Sequence, residues 1–545
     1  PGGAEFECNE ESPSCRAYAE GAVPGEAPMT SSLHPVAALL LLLSLPAAAF
    51  VLGRPRSLPP ADFTFVLPKE YGTLDPADAS SVSDGWVIQS LFEGLTRIDP
   101  ESLRAVPAAA ERIEGSKDGV TWTFTLRADA RWSDGAPLVA RHFVDGWRRL
   151  LDPETGSPNA FLFEAVDDVE APDPRTFVVR LSRPCAYFPA LAAHFSAMPL
   201  RRDLLLRHGD SWTDPEHLVT NGPYRVGARR VRERLRLLRS DTWHGRERVG
   251  LAVVDALAIE SKATALGLFL TGDVDWVNAI PAAAVPHLRG RDDLRLGPAF
   301  ATNFLRFHVR RPPLDDPRVR RALDRAIDRD ALCRYVLRRG DVPATSFVPP
   351  SLPGYEPAPA EAEDVEAARR LLSEAGFPDG LGLPELELLY VADETARAVA
   401  EALVARLHDV LGVRLRAVPQ EQKVALDSMR SLKYDVALGV WYGDYPDPAT
   451  FLDCFRADAG ANRTGWSDPR YDALLDRAAR RVDVEARAAL LREAEALLLA
   501  EGPIAPLTFR GQPNLVAPHV EGFTTNLLDV HPLDRLSIRR GARGE

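Results

Sequence analysis

The stretches LELLYV (386–391), ARAVAEALVARLHDVLG (396–412) and VRLRAV (413–418) decide the fold class. Two short strand patterns flank a segment whose apolar residues recur at the spacing of an amphipathic helix. A strand, a helix and a second strand in this order predict two parallel strands in one sheet. The rest of the chain alternates strand and helix patterns, so we predict a mixed α/β protein with more than one lobe.

Several other segments carry a clear period. Strict alternation of apolar and polar residues predicts strands in DFTFVL (62–67), VTWTFTLR (120–127) and RTFVVRLS (175–182). Helical spacing predicts helices elsewhere. These are VIQSLFEGL (87–95, ended by Gly94), ARHFVDGWRRLL (140–151), VRRALDRAIDRDALCRYVL (319–337) and EARAALLREAEALLLAEG (485–502).

Composition excludes some classes of function. The 545-residue chain has 65 basic and 78 acidic side chains and a formal net charge of -13. An acidic chain argues against nucleic acid or an anionic membrane surface as its main partner. The cysteines form no CxxC pair and no cluster with histidine, which leaves no zinc or redox motif. We expect no metal and no cofactor. We expect isolated core thiols, with one disulfide as the alternative, among Cys8, Cys15, Cys185, Cys333 and Cys454.

The amino-terminal region carries an export pattern. Residues 1–28 are polar and are predicted to be an upstream extension, and 29–57 a signal peptide or anchor with its linker. The apolar run Val36 to Leu52 is slightly shorter than the ~20 residues that span a bilayer. It ends in three alanines, an acceptable cleavage site. Export to the periplasm or another extracytoplasmic space follows in either case, and an uncleaved membrane anchor is the alternative.

The stretch GVWYGDYPDPATFLDCF (439–455) has an unusual composition. Asp444, Asp447 and Asp453 stand among aromatic residues, prolines and glycines, directly after the strand pattern KYDVALGV (433–440). From the residues alone, a turn, a metal site, a catalytic acid and a clamp for a cationic ligand all fit this pattern.

Motifs of enzymes are missing from the sequence. It has no GxSxG elbow, no HExxH pair, no glycine-rich phosphate loop and no Walker sequence. Its histidines stand alone, and a lone histidine is more often a core or surface residue than a catalytic one. We therefore expect no catalytic residues and a protein that is not an enzyme.

Seven stretches together resemble the peptide-binding proteins of ABC transporters, the oligopeptide- and dipeptide-binding family (solute-binding protein family 5). They follow the order of that family from about residue 62 to 538. The stretches are LDP (74–76) with LFEGL (91–95), WTFTLRADARWSDGAPLVARHFVDGWRRL (122–150), TNGPY (220–224), PPLDDPRVRRALDRAIDRDAL (312–332), LLSEAGFPDG (371–380) and YDVALGVWYGDYPDP (434–448).

The resemblance implies an α/β, two-lobed periplasmic-binding-protein fold of the class II type, with hinge strands and a third domain. The implied function is an extracytoplasmic receptor that traps short peptides between its lobes and delivers them to an ABC transporter permease, acting as a monomer. A membrane-anchored sensor without transport, and a binder of nickel, haem or sugar, remain alternatives. The implied domains are lobe I (58–92, 202–300 and 512–545), an extra domain II (93–201) and lobe III (301–511).

The resemblance also assigns ligand-binding positions. Asp444 matches the carboxylate that takes the α-ammonium group of the peptide, whereas a bare turn residue is the alternative. Trp441 matches a wall of the cleft, or is a plain core tryptophan. Val440 and Tyr442, and Val82 across the cleft, match positions whose backbone pairs with the peptide.

The other end of the site departs from the family pattern. Leu438 and Met429 stand where the family has arginines that hold the carboxylate end of the ligand. Arg430 and Arg510 are candidates to supply that charge, although exposed arginines are usually just solvated. Asn278 lies beside a ligand-contacting asparagine position and is otherwise a turn residue. We expect the amino-terminal grip to be kept and the other end to be rebuilt.

Overall fold

The computed structural model describes residues 58–539. The predictions for residues 1–28 and 29–57 lie outside this range. Within residues 58–539, no helix has both the length and the apolar character needed to cross a membrane. The described chain mixes strands and helices throughout, as the sequence predicts.

One large sheet organises the molecule. Its strand order is β15-β14-β16-β12-β17-β11-β1-β10-β9-β8, with the short β13 paired to β17. The strands of this sheet are β1 (Phe63–Leu67), β8 (Tyr224–Arg230), β9 (Arg234–Arg239), β10 (Val253–Ala258), β11 (Trp276–Val277), β12 (Leu294–Phe307), β13 (Val342–Pro343), β14 (Leu386–Val391), β15 (Leu415–Gln420), β16 (Val436–Tyr442) and β17 (Ile504–Val516).

Two long antiparallel strands join the halves of this sheet. β12 and β17 pair from Leu294 with Leu515 to Arg306 with Ile504, and the register shifts between Pro298 and Thr302. Beyond that irregularity β12 pairs with β16, while the far end of β17 pairs with β11. The polypeptide therefore passes between the two halves through extended, hydrogen-bonded strands.

The predicted β-α-β unit is confirmed. β14 and β15 are parallel, and the connecting helix runs from Glu394 to Leu411. The Asp393 side chain accepts a hydrogen bond from the Ala396 amide at its start, as expected of a helix N-cap. Gly412 ends the helix with φ of 67°, in the left-handed region that glycine adopts without strain.

A second sheet stands apart from the first. Its order is β4-β5-β7-β6, all antiparallel, and it contains the predicted strands of 120–127 and 175–182. The buried face of the helix over 140–151 packs on it. The strands outside the large sheet are β2 (Thr96–Ile98), β3 (Ala105–Pro107), β4 (Ala110–Gly115), β5 (Thr121–Leu126), β6 (Val166–Asp173), β7 (Thr176–Leu181), β18 (Val520–Glu521) and β19 (Ser537–Ile538).

The α-helices cover both sheets. Their bounds are α1 (Val82–Leu91), α2 (Ala140–Leu151), α3 (Phe188–Leu191), α4 (Arg202–His208), α5 (Lys262–Thr271), α6 (Val285–Leu288), α7 (Pro317–Arg325), α8 (Arg329–Ala331), α9 (Val365–Glu374), α10 (Glu394–Leu411), α11 (Gln422–Arg430), α12 (Ala449–Leu452), α13 (Pro469–Ala479) and α14 (Val484–Glu501).

Two predicted helices differ in extent. The helix predicted over 319–337 is broken after Arg325, because the Asp328 carboxylate caps a new start by accepting from the Ala331 amide. The helix predicted over 87–95 ends at Leu91, before Gly94. There the Asn221 amide group binds both backbone groups of Glu93 and so holds the chain in an extended form.

The thiols of the described residues are isolated, as predicted. Cys185, Cys333 and Cys454 are buried and free. Burial raises the pKa of the Cys185 and Cys333 thiols to about 12, so both stay protonated and unreactive at neutral pH.

Candidate ligand-binding site

One edge of β16 is left without a partner strand. β14 pairs with β16 only at Val436 and Ala437, whereas β12 covers the opposite edge as far as Tyr442. In residues 58–539, no strand pairs with the β14-side edge from Leu438 to Tyr442. Such an edge offers free backbone donors and acceptors to an extended chain.

The direction of each backbone group follows from the ladder. The Gly443 amide donates to the Phe300 carbonyl on β12, and the Asp435 carbonyl accepts from the His308 amide on the same side. Because backbone groups alternate along an antiparallel strand, odd-numbered residues here face β12. The N–H and C=O groups of Val440 and Tyr442 therefore point to the free edge.

A carboxylate stands two residues beyond this edge. The Asp444 amide donates to Thr450 Oγ1 at 3.0 Å, and the Thr450 hydroxyl lies 3.5 Å from Asp444 Oδ2. In the described part of the chain Asp444 makes no ion pair. Asp444 is open to solvent within the cleft, yet desolvation by the surrounding protein raises the pKa of its carboxyl group. A cation placed here would be attracted by a carboxylate whose charge is not shared with another cation.

Trp441 forms a wall beside Asp444. Its indole Nε1 donates to the Thr450 carbonyl at 2.8 Å, and its ring packs on a buried aromatic cluster. Thr450 therefore fixes both the tryptophan and the aspartate. Sequence reasoning missed Thr450, since nothing in the segment ATFL (449–452) marks its threonine as a support for Asp444.

The three aspartates of this stretch have separate partners. Asp447 forms a turn, because its Oδ1 accepts from the Ala449 amide. It also makes a buried ion pair with Arg487, with oxygen–nitrogen distances of 2.6 and 2.7 Å. Asp453 follows the end of α12 and pairs with Arg456 at 2.7 Å. Asp453 is the first residue of a short 3-10 helix, Asp453–Phe455, that continues directly from α12.

An aromatic stack supports this part of the cleft. The rings of Tyr187 and Tyr445 are stacked with centroids 4.6 Å apart and an angle of 6°. The Arg487 guanidinium lies 5.3 Å from the centroid of the Tyr187 ring. Asp444 and Trp441 line a cavity of about 670 Å³ beside this stack. The loop after β16 is therefore fixed by contacts on both sides.

Val82 and Asn278 lie on other elements. Val82 is the first residue of α1 and is 62% exposed, and an amide at this helix position has no partner within the helix. Its carbonyl, however, belongs to the helical ladder. Asn278 directly follows β11, and its side-chain Oδ1 is buried without a hydrogen-bond partner in the described chain. Val82 thus offers a free donor and Asn278 a free acceptor.

The two candidate arginines differ in placement. Arg510 on β17 lies with its guanidinium 5.3 Å from the Tyr442 ring centroid, so the structure brings these two predicted residues together. Burial lowers the pKa of Arg510. Arg430 ends α11, with 61% of its side chain exposed, and pairs with Asp427 at 3.3 Å.

Comparison with known proteins decides the family. Residues 104–463 match the model of bacterial extracellular solute-binding proteins, family 5. The chain belongs to this family. It is 32% identical to the periplasmic oligopeptide-binding protein OppA of Salmonella typhimurium, over 86% of this chain and 90% of that protein. It is 31% identical to the probable deoxycholate-binding periplasmic protein YgiS of Escherichia coli, over 89% of this chain and 96% of that protein.

Solved structures agree with this membership. The unliganded open form of the murein tripeptide-binding protein MppA matches with a TM-score of 0.80 at 31% identity, covering 88% of this chain and 98% of that one. A second structure, of Escherichia coli MppA, matches with a TM-score of 0.71 at the same identity, covering 88% and 99%. The predicted periplasmic-binding-protein fold class is confirmed. The domain boundaries and the ligand-binding residues remain predictions.

Sequence reasoning also missed two arginines, Arg306 and Arg463, as candidates for the ligand-binding site. Arg306 on β12 is only 5% exposed, and Arg463 lies in a loop beside the end of the same strand. The signal that points to Arg306 is a charged residue inside an otherwise apolar strand, NFLRFHV (303–309). Arg463 has no comparable signal, because it stands among the polar residues of a loop.

Proposed function

We propose that this chain is an extracytoplasmic receptor that captures short peptides between two lobes and delivers them to the permease of an ABC transporter. The observation that carries the proposal is the free edge of β16, which ends two residues before the unpaired carboxylate of Asp444. A peptide is an extended backbone with an ammonium group at one end. The free edge of β16 matches the peptide backbone, and the Asp444 carboxylate, two residues beyond that edge, matches the ammonium group.

The arrangement accounts for capture without reading side chains. Backbone pairing along Val440 and Tyr442 adds a strand to the sheet, and main-chain hydrogen bonds supply affinity for any sequence. The ammonium group of the peptide gives Asp444 the charge-assisted hydrogen bond that its position lacks. The backbone of Val82 and the amide of Asn278 contribute from the opposite side.

Closure of the lobes would complete the site. In the described form, the side chains along the free edge of β16 are open to solvent, with Val440 at 38% and Tyr442 at 51% exposure. The match to the open form of MppA, at a TM-score of 0.80, supports an open arrangement of the lobes. We propose the lobes and the extra domain within the boundaries predicted from the sequence. The ion pairs Arg97–Asp534 and Arg535–Asp99 support a firm attachment of the extra domain to lobe I.

The remaining parts of the proposal follow the relatives. OppA and MppA are named as periplasmic or peptide-binding proteins. We place this chain outside the cytoplasm, exported by its apolar segment, and expect it to act as a monomer without a catalytic group. In this proposal the protein does not alter the peptide chemically but only binds it and delivers it.

YgiS supplies a second candidate ligand class. It is named for binding deoxycholate, a carboxylate without an ammonium group, and its identity to this chain nearly equals that of OppA. A ligand of this kind would leave Asp444 unpaired and would use the cationic side chains instead. The role of the ammonium group therefore separates the two candidates.

Calorimetric titration of the exported protein tests the proposal. Trialanine is expected to bind, and N-acetyl-trialanine, which lacks the ammonium group, at least tenfold more weakly. Deoxycholate provides the comparison ligand. Equal affinities for the two peptides, or binding of deoxycholate alone, would contradict the proposal. Native mass spectrometry of protein taken directly from cells then identifies the ligand that it carries.

A further inference from the structure

A cationic side chain lies buried on the face of β16 that carries Trp441. Arg306 on β12 points to this face, which it shares with Gly439. Its guanidinium carbon is 4.6 Å from the centroid of the Phe304 ring, and its Nη1 is 3.5 Å from the sulfur of Met429. A Cβ on Gly439 would stand 2.7 Å from the same Nη1. The glycine therefore leaves room for the guanidinium directly beside β16.

No carboxylate compensates this charge. Within residues 58–539, Arg306 and Arg463 make no ion pair, and the Nε atoms of both are buried without a hydrogen-bond partner. Asp435, next to β16 in sequence, is already engaged, since it pairs with Arg311 at 2.9 Å and accepts from the Glu387 amide. In this part of the chain Arg306, beside Gly439 of β16, therefore has no negative partner, and neither has Arg463, whose charge acts on Arg306.

An unpaired buried guanidinium is costly to keep. Burial, together with the charge of Arg463, lowers the pKa of Arg306 to about 10. The Phe304 ring and the Met429 sulfur offset only part of the lost hydration, because neither is an anion. A negatively charged group brought by a ligand would recover the rest.

The register of a paired peptide shows which part of the ligand reaches this face. A peptide whose ammonium group meets Asp444 runs antiparallel to β16, with its first residue opposite Tyr442. Its third residue is then opposite Val440, and its fourth is opposite Gly439. Side chains of directly opposed residues lie on the same face of a sheet. The fourth side chain therefore projects onto the face where Arg306 lies, about one strand spacing of ~4.8 Å away.

We propose that Arg306 and Arg463 form an anion subsite that takes the side-chain carboxylate of an acidic fourth residue of the bound peptide. This inference rests on the proposed peptide-receptor function. It deepens that function by naming a preferred substrate class, peptides with Asp or Glu at the fourth position. Gly439 leaves room for the guanidinium beside β16, and neither Gly439 nor Met429 brings a competing charge.

Two matched tetrapeptide amides test the subsite. Ala-Ala-Ala-Glu-amide and Ala-Ala-Ala-Gln-amide differ in one charge and carry no terminal carboxylate, so calorimetry with both isolates the side-chain contribution. We expect the Glu peptide to bind about tenfold to a hundredfold more tightly, the range of one charge-assisted hydrogen bond. If both peptides bind equally, the receptor function stands and the subsite is refuted. If neither binds, the receptor function fails and the subsite with it.

Variants assign the preference to the two arginines. Arg306→Met is expected to reduce the Glu/Gln ratio to near one, and Arg306→Lys to retain part of it. Arg463→Met provides an independent test should Arg306→Met unfold, as judged by thermal denaturation. Arg112→Met, an exposed arginine on the separate sheet of β4, is the control and should keep the full ratio. A ratio that survives in both Arg306→Met and Arg463→Met would overturn the assignment.

Discussion

Replacing Asp444 by asparagine is the sharpest test of how the cleft recognises its ligand. The substitution keeps the size of the side chain and an oxygen that the Thr450 hydroxyl can reach. It removes only the negative charge. In the ligand-free protein this charge has no cationic partner among residues 58–539, and desolvation disfavours it, as the raised pKa of the carboxyl group shows. We therefore expect the stability of the free protein to be unchanged or slightly higher.

The expected loss of affinity follows from the charge. An ammonium nitrogen roughly 3 Å from the carboxylate, at an effective dielectric constant of about 20, gains about 5 kcal/mol of Coulomb energy. Desolvation of the ammonium group offsets part of this gain. A net loss of about 3 kcal/mol is expected when one partner of such a pair is removed, which is about 150-fold in Kd.

A double-mutant cycle measures this coupling directly. Trialanine and N-acetyl-trialanine are titrated into the wild-type protein and into Asp444→Asn, with thermal denaturation as the check on folding. The acetylated peptide should bind both proteins with nearly the same affinity, because it has no charge for Asp444 to meet. If Asp444→Asn weakens both peptides equally, or neither of them, the carboxylate does not hold the ammonium group and the reasoning is refuted.

Three further predictions concern pH, backbone pairing and stability. Affinity for trialanine should fall as pH drops through the raised pKa of Asp444, because protonation removes the charge. It should also fall above about pH 8, because the α-amino group of the peptide then loses its proton. A flat calorimetric pH profile would contradict this. Val440→Pro removes an amide that faces the free edge and should cost about tenfold in affinity. Val440→Ala keeps that amide and should bind normally. Equal losses of affinity in the two variants would disprove backbone pairing. Arg487→Met leaves the buried Asp447 carboxylate unpaired and should lower the free energy of unfolding in urea by about 3–5 kcal/mol. The control Arg492→Met, at an exposed position of the same helix, should change it by less than about 0.5 kcal/mol. Similar effects of both variants would show that the buried pair is unimportant.

Local patterns predicted the elements better than their connections. The helix over 394–411 is legible because Leu403, Leu407 and Leu411 repeat at helical spacing and are buried. The pairing of β12 with β17 joins residues about two hundred positions apart, and no local period encodes such a contact. The early end of α1 has the same cause, since Asn221 reaches it from a distant segment.

The candidate site was predictable where a motif marks it. Asp444 and Trp441 follow the strand pattern KYDVALGV in a composition that a simple turn does not explain. The ion pair of Asp447 with Arg487 was not predictable, because a charged residue on a helix gives no sign of being buried. Arg306 stands out in the sequence as a charged residue inside an apolar strand, but only the three-dimensional structure shows that it lacks a carboxylate partner.

A crystal structure of the protein with trialanine tests the central claim most directly. The account predicts a closed form in which the peptide runs antiparallel to β16, its backbone hydrogen-bonded to Val440 and Tyr442. Its ammonium nitrogen should lie within hydrogen-bonding distance of the Asp444 carboxylate. A peptide bound in the opposite direction, or one that leaves Asp444 without contact, would contradict the account.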